Sequence, residues 1–151
     1  MPDHGPAALR RGRFSEAGRV YLITGVVAGR RPVFDSWQVG RCLIDQFKQA
    51  QADAGVESMA WVIMPDHFHW LIVLKDRPLA TVVGRVKSRS ALSLNQHFST
   101  RGAFWQKGYH DRALRRSEDI KTAARYIVSN PVRAGLVEHV RDYPLWDAIW
   151  L

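Results

Sequence analysis

The sequence predicts an α+β fold, a sandwich in which a mainly antiparallel sheet carries helices on one face and is followed by a C-terminal helix. β-branched and apolar runs alternate with segments of helical spacing, in the order strand, helix, strand, strand, helix, strand, helix. The first six elements follow a ferredoxin-like order. This architecture serves many unrelated functions, so the fold class does not identify an activity.

The composition is that of one globular domain, with 151 residues, 46% hydrophobic and 24% charged. Residues 1–18 are rich in Gly, Pro and Arg without periodicity, which predicts a flexible basic arm before a single domain over residues 19–151. No apolar run approaches the roughly 20 residues that cross a bilayer, and no secretory signal is evident. The single cysteine, Cys42, excludes an intramolecular disulfide and a zinc site built from several cysteines.

The N-terminal half is predicted to form a strand, a helix and a hairpin. Residues 19–27 are β-branched and apolar, as in a strand. Ser36 is a good N-cap for a helix whose apolar positions recur from Val39 to Ala54. Two strand-like runs then flank Met64-Pro65-Asp66, and this turn sequence predicts a hairpin.

The C-terminal half is predicted to form two helices with a strand between them. Residues 78–98 place apolar side chains on one helical face, and residues 104–115 form an aromatic and basic segment typical of a strand. Ser117 is placed to cap the last helix. Because Pro131 disfavours the helical conformation in the residue before it, we expect this helix to stop near Asn130.

Positive charge is concentrated in one stretch of the chain. The formal net charge is +8, and residues 85–116 contain eight Lys or Arg but one acid, Asp111, which is +7. A polyanionic partner and a solvated basic face both explain this pattern, so charge alone does not decide between them.

His67 and His69 flank Phe68 in the second strand of the predicted hairpin. Residues two apart in a strand share a face, so both imidazoles point the same way, roughly 6–7 Å apart along the backbone. Such a pair can bind one divalent cation through one nitrogen of each ring. Two ordinary strand histidines near a turn would have the same pattern, so the motif alone is weak evidence.

Tyr126 lies outside the apolar arc of the last predicted helix. At about 100° per residue it falls beyond that arc, and Asn130 follows one turn later on the same side. A surface aromatic residue and a helix-ending asparagine are the simpler interpretation. The arc consists of Ile120, Ala123, Ala124, Ile127 and Val128.

Three segments together resemble the REP-associated tyrosine transposases of the HUH (His–hydrophobic–His) single-strand transposase superfamily. They are HFH after Met-Pro-Asp, FWQKGYHDRALR, and RYIVSNPVRAGLV. The resemblance extends from about Val20 to Val137, most of the chain. It implies a cytoplasmic, nucleoid-associated bacterial-type enzyme that acts on single-stranded DNA next to a hairpin, as a monomer or a homodimer.

The resemblance also implies the roles of four side chains. Tyr126 is the nucleophile, His67 and His69 bind Mg²⁺ or Mn²⁺, and Asn130 is the third ligand. The expected reaction is metal-dependent endonuclease and strand-transfer chemistry through a covalent 5′-phosphotyrosine, which needs no external energy source.

Supporting side chains are expected around the nucleophile. A phenol has a pKa of about 10, so its deprotonation needs help, and Asp66, His110 and solvent are candidates. Asp111 is an acid within a basic strand and is a candidate to orient an arginine or a histidine.

The DNA is expected to contact basic and aromatic side chains. Trp105 and Tyr109 lie among the basic residues and are candidates to stack on unpaired bases, although core packing is the alternative for Trp105. The candidates for phosphate contacts are Arg85, Lys87, Arg89, Arg112, Arg115 and Arg116.

Two other functions are compatible with the same residues. One is a non-catalytic module that binds single-stranded or hairpin nucleic acid. The other is a metal-dependent hydrolase that activates water at His67 and His69 and never attaches DNA to the protein.

Overall fold

The computed structural model describes residues 18–149, so the predicted basic arm lies outside the described residues apart from Gly18. Within that range the chain forms five strands and three α-helices, with 3₁₀ turns at Ala28–Arg30 and Val140–Asp142. The elements in chain order are β1 (Val20–Val26), α1 (Trp37–Ala52), β2 (Val56–Met64), β3 (His67–Leu74), α2 (Leu79–Phe98), β4 (His110–Leu114), α3 (Ser117–Arg133) and β5 (Trp146–Ala148).

The strands form one sheet in the order β4-β1-β3-β2-β5, and every neighbouring pair is antiparallel. The first four strands with α1 and α2 have the ferredoxin-like arrangement, so the predicted α+β class is confirmed. β5 adds a short edge strand beside β2. None of the helices in the described range is long and apolar enough to cross a membrane.

α1 and α2 cover one face of the sheet and enclose an aromatic core. Ser36 caps α1 as predicted, because its hydroxyl oxygen accepts a hydrogen bond from the Val39 amide at 3.4 Å. Phe47 of α1 stacks on Trp70 of β3 with ring centroids 4.4 Å apart. Phe68, also on β3, packs edge-on against Phe47 at 5.4 Å. This buried aromatic cluster accounts for much of the apolar area removed from water.

α3 packs on the opposite face of the sheet. Its small residues Ala123 and Ala124 and its Ile127 are buried in a second cluster, together with β-strand side chains such as Val62 and Leu71. Small side chains allow the helix to approach the strands closely. The sequence indicated a separate C-terminal helix but not the face on which it lies.

The prediction that α3 stops near Asn130 is wrong, because the helix continues through Pro131 to Arg133. Pro131 has no N–H and cannot donate the helical hydrogen bond to the Ile127 carbonyl. The loss is tolerated because Pro131 lies in the last turn of the helix, only two residues before its end. Pro131 is also buried, and its carbonyl accepts a hydrogen bond from the Leu136 amide at 2.9 Å. Packing therefore outweighs the local preference of the residue before proline.

The predicted strand over residues 104–115 is shorter in the structure. Only His110–Leu114 forms a strand, and Trp105 contributes an isolated bridge to Val27. Phe104 and Trp105 are buried in the aromatic core. Tertiary packing of these aromatic residues, rather than β-pairing, determines the conformation of this segment.

Candidate active site

Strand pairing brings polar side chains together at one end of the α3 face. Thr24 of β1 lies opposite both His69 of β3 and His110 of β4. Residues directly opposite each other in neighbouring strands share a face, so these three side chains lie on one surface. His67, two residues before His69, is on the same face.

The two histidines are oriented through their Nδ1 atoms. The ring centroids of His67 and His69 are 5.0 Å apart. His69 Nδ1 is 2.8 Å from the Thr24 hydroxyl, and His67 Nδ1 is 2.6 Å from a carboxylate oxygen of Asp66. These contacts leave Nε2 of each ring as the nitrogen that can bind a shared ligand.

Burial lowers the pKa of His69 to about 4, with further contributions from His67 and Arg133. The ring is therefore neutral near pH 7, which is the form that binds a metal ion.

Asp66 is held between two partners. Its second carboxylate oxygen is 3.2 Å from the Arg30 guanidinium. Partial burial acts to raise the pKa of Asp66, but the hydrogen bonds and charges of His67 and Arg30 together lower it. Asp66 is thus a carboxylate that contacts His67, and its role in deprotonating Tyr126 stays a prediction.

Tyr126 projects from α3 toward the histidines. Its ring centroid is 5.5 Å from that of His69, and the side chain is 43% exposed. It lines an open groove of about 540 Å³ together with Thr24, His69 and His110. The Arg133 guanidinium lies over the ring, 4.0 Å from its centroid. The groove thus presents a phenol beside two imidazoles and an arginine, a combination suited to an anionic substrate.

Asn130 lies one helical turn after Tyr126, on the same side of α3. Its Nδ2 atom is buried and has no hydrogen-bond partner among the residues that the structure describes. A buried amide without a partner is costly, so a water molecule or a bound ligand would complete its interactions. Rotation of the amide exchanges Nδ2 with Oδ1, an oxygen of the kind that binds Mg²⁺ or Mn²⁺.

The side chains at this position fit a divalent cation. Between residues 18 and 149, no group of three or more His, Cys, Asp and Glu is placed to hold a metal ion. A site at His67 and His69 must therefore be completed by another kind of ligand, and the unpartnered amide of Asn130 is suited to this.

Asp111 is on the other face of β4. It lies opposite Ile23, whose side chain belongs to the aromatic core, and neighbouring residues of a strand alternate between faces. Asp111 is buried, and it also borders the groove that His69 and Tyr126 line. Its role in orienting an arginine or a histidine stays a prediction.

Three of the predicted DNA-contacting arginines are exposed near the groove or at the start of α3. Arg112 lines the groove with Tyr126. It follows Asp111 in β4, so its side chain points to the opposite face of the sheet, toward α3. Arg115 is exposed immediately after β4. Arg116 is the N-cap residue of α3, so the prediction that Ser117 caps this helix is wrong. The Arg116 Nε is 3.4 Å from a carboxylate oxygen of Asp119.

The other predicted contacts lie away from the groove. Arg85 and Arg89 are exposed on α2, across the sheet from Tyr126, and Arg89 is 3.8 Å from Asp53. The Lys87 ammonium donates hydrogen bonds to the carbonyls of Gln106 and Gly108, which anchors that loop to α2. These three residues do not form one surface with Tyr126.

The predicted stacking aromatics are part of the core. Trp105 is 6% exposed, and its indole N–H donates to the Ser90 hydroxyl at 3.0 Å. Tyr109 is half-buried and packs against the same cluster. The structure favours core packing for Trp105, the alternative to base stacking, because its one polar atom is satisfied internally.

Sequence reasoning missed Thr24, Arg30 and Arg133. Thr24 and Arg30 carry no motif, and only the strand register and the turn at Ala28–Arg30 bring them to the histidines. Arg133 lies seven residues after Tyr126, on the same side of a helix after two turns. The expectation that α3 ends at Asn130 hid this relationship.

Comparison with known proteins identifies the family. The family described as "Transposase IS200 like" matches residues 19–130. A REP-associated tyrosine transposase of Escherichia coli (strain K12) is 28% identical over 98 residues, 64% of this chain and 56% of that protein. A Haemophilus influenzae protein, provisionally given the same name, is 28% identical over 109 residues, 65% of this chain and 62% of its own. The chain therefore spans less than two thirds of either relative.

A solved structure has the same fold. It is described as a REP-associated tyrosine transposase bound to a REP hairpin, and it superposes with a TM-score of 0.76 at 23% identity. The match covers 97% of this chain and 82% of the other. Because the family match includes β1 through Asn130, and so both histidines and the tyrosine, the chain belongs to the IS200-like transposase family.

Proposed function

We propose that this protein is a metal-dependent single-strand DNA endonuclease and strand transferase that cuts next to palindromic hairpins through a covalent 5′-phosphotyrosine on Tyr126. The observation that carries the proposal is that the rings of His67, His69 and Tyr126 lie together. The centroids of His67 and His69 are 5.0 Å apart, and those of His69 and Tyr126 are 5.5 Å apart. The tyrosine is separated from the histidines by more than fifty residues of sequence. Only a folded site on the α3 face explains why they meet.

The phenol is the nucleophile in this proposal. Tyr126 Oη attacks phosphorus, the bond from phosphorus to the 3′-oxygen breaks, and the DNA is left with a 5′-phosphotyrosine and a free 3′-OH. The phenolic proton passes to an acceptor in the groove, and the departing 3′-oxygen takes up a proton. A second 3′-OH reverses the attack and joins two strands, because the aryl phosphate ester preserves the energy of the cleaved bond.

His67, His69 and Asn130 would hold the divalent cation. When bound, the cation supplies positive charge that neutralises the phosphate oxygens at the scissile bond. The chain contributes the orientation of these ligands. Thr24 and Asp66 contact the Nδ1 atoms of the two rings, which leaves the Nε2 atom of each ring available to bind the cation.

His110 is the side chain best suited to accept the phenolic proton. It lines the same groove as Tyr126 and shares a face with Thr24 and His69. Asp66, the other candidate, already accepts from Arg30 and contacts His67. Geometry thus favours His110, with solvent as the remaining acceptor in this exposed groove.

The substrate in this proposal is a single strand beside a hairpin. The names of the relatives and of the hairpin-bound structure support this, and so does the overall positive charge. Arg112 lines the groove, and Arg115 is exposed immediately after β4, so both are candidates for phosphate contacts. Phosphate contacts of this kind position the strand and carry no sequence information.

The test is a denaturing gel of the protein with end-labelled single-stranded hairpin DNA and Mn²⁺, with and without EDTA. We expect a covalent protein–DNA band that requires the metal ion and is absent in Tyr126→Phe. Tyr143→Phe is the matched control, because it removes a phenolic hydroxyl that hydrogen-bonds the Ile63 carbonyl at 2.6 Å. This variant should retain the band.

Two outcomes would contradict the proposal. Tight hairpin binding on a native gel with no covalent band at any metal concentration would assign the chain to the binding modules. Metal-dependent cleavage that persists in Tyr126→Phe without an adduct would assign the chemistry to an activated water instead.

A further inference from the structure

Arg133 makes two contacts with Tyr126 and one with the neighbouring Ser129. Its guanidinium carbon lies 4.0 Å from the centroid of the Tyr126 ring. Its Nη2 donates to the backbone carbonyl of Tyr126 at 2.9 Å, and its Nε donates to the Ser129 hydroxyl at 3.2 Å. The Ser129 hydroxyl in turn is 3.3 Å from the same Tyr126 carbonyl. The planar fork of arginine makes these contacts from one rigid group.

The position of Arg133 in the last turn of α3 makes this arrangement possible. Because the helix continues through Pro131, Arg133 lies two turns after Tyr126 on the same side of the helix. Arg133 is in that last turn, and its side chain folds back two turns to reach Tyr126. A favourable interaction with the helix dipole explains an arginine at this end of α3. It does not explain why the guanidinium lies on the tyrosine ring.

The Arg133 guanidinium and the His69 ring define the position of the Tyr126 phenol. Arg133 contacts the face of the Tyr126 ring, and the His69 ring meets it at 68° with centroids 5.5 Å apart. An exposed tyrosine on a helix ordinarily samples more than one χ1 rotamer. Contacts with both Arg133 and His69 favour the rotamer in which the ring lies against His69 at the groove. A nucleophile must be held in such an orientation for efficient attack.

We infer that Arg133 is a positioning residue that clamps the Tyr126 ring against His69 in the conformation ready for attack. The inference rests on the proposed function, in which Tyr126 is the nucleophile. It assigns Arg133 a role in the rate of adduct formation, distinct from the affinity for DNA. Lysine is not an adequate replacement, because an ammonium cannot stack on the ring and donate to both the Tyr126 carbonyl and Ser129.

The kinetic test compares Arg133→Ala, Arg133→Lys and Arg125→Ala. Arg125 is an exposed arginine of the same helix, adjacent to Tyr126, and its replacement removes the same charge. At saturating hairpin DNA and Mn²⁺, we expect the single-turnover rate of adduct formation to fall about tenfold or more in both Arg133 variants. Hairpin affinity and Tm should stay close to those of the wild type, and Arg125→Ala should keep the wild-type rate.

A second measurement follows the ring itself. With 3-fluorotyrosine incorporated, the ¹⁹F NMR signal of Tyr126 is identified by its loss in Tyr126→Phe. We expect this signal to shift and narrow in Arg133→Ala, because the ring loses its stacking partner, and to stay unchanged in Arg125→Ala. This readout does not require catalysis, so it tests the clamp even if the wild type forms no adduct.

Three results would overturn the inference. The first is a wild-type adduct rate in Arg133→Ala at saturating DNA. The second is full recovery of the rate in Arg133→Lys, which would assign the role to charge. The third is an unchanged Tyr126 ¹⁹F signal in Arg133→Ala. Absence of the adduct in the wild type, with a shifted signal in Arg133→Ala, would instead contradict the proposed function and leave the clamp supported.

Discussion

The two faces of the sheet differ in what their helices leave uncovered. α1 and α2 close over an aromatic cluster on one face, where Phe68 and Trp70 have no exposed surface. On the other face, α3 contacts the strands through small residues, and Tyr126 remains 43% exposed beside His69. Strand β3 contributes side chains to both faces, because successive side chains of a strand point to opposite sides of the sheet. The aromatic core and the candidate site thus lie on opposite sides of the same strand.

Because the two faces differ in this way, substitutions on one face should affect different measurements from substitutions on the other. Changes on the α1–α2 face should lower the free energy of unfolding and leave the reaction intact. Changes to the polar side chains beside Tyr126 on the α3 face should lower metal affinity or adduct formation and leave Tm nearly unchanged. Each of the following substitutions tests this separation, from the largest expected effect to the smallest.

Phe47→Ala should have the largest effect, and it should be on stability. Phe47 is 2% exposed and stacks on Trp70 at 4.4 Å, so truncation leaves a cavity in the aromatic core. We expect a loss of about 3–5 kcal/mol in the free energy of unfolding, measured by chemical denaturation. Adduct formation at a temperature where the variant is folded should match the wild type. A large loss of rate there would show that the two faces are coupled.

His69→Ala should have the next largest effect, on the reaction. The variant removes one of the two imidazoles while keeping Phe68 and Trp70 in place on the opposite face. We expect metal-dependent adduct formation to fall at least about a hundredfold. His97→Ala is the control, since His97 is an exposed residue in the last turn of α2. A variant with normal adduct formation would remove His69 from the site.

Thr24→Val should weaken metal binding with little change in shape. The substitution deletes the hydroxyl 2.8 Å from His69 Nδ1, so the imidazole loses the partner that sets its orientation. We expect Mn²⁺ affinity, measured by calorimetry without DNA, to fall about tenfold. Thr122→Val is a matched control, because Thr122 lines the same groove but donates its hydroxyl to the Glu118 carbonyl. Equal Mn²⁺ affinity in the Thr24 variant and the wild type would contradict the role of Thr24.

Tyr143→Phe should have the smallest effect, about 1 kcal/mol of stability, from loss of the hydrogen bond to the Ile63 carbonyl. Burial raises the pKa of Tyr143 to about 12, above its ordinary value of 10.0. Because the folded state keeps the Tyr143 hydroxyl protonated to a higher pH than the unfolded state does, its contribution to the free energy of unfolding is complete below about pH 10. That contribution is lost as the pH rises from about 10 to about 12. Denaturation curves across this range should converge for the variant and the wild type. A constant stability difference would contradict this linkage.

Most of the fold follows from local patterns. The Ser36 cap, the hairpin at Pro65 and Asp66 and the order of the elements were all predicted, because each depends on residues close together in sequence. The end of α3 was predicted wrongly, because burial of Pro131 opposes its local preference. The concentration of basic residues between 85 and 116 does not correspond to one surface. Lys87 anchors a loop, and Arg85 and Arg89 lie across the sheet from Tyr126.

The sequence by itself determined that His67 and His69 share a face and that Tyr126 and Asn130 share a side of a helix, since both follow from the periods of a strand and a helix. Tertiary structure decided that these two pairs meet. The side of the sheet on which α3 packs depends on the fit of Ala123 and Ala124 to the strands, which no local period encodes. The strand register likewise brings Thr24 to His69, because contacts between distant segments depend on how the whole chain packs.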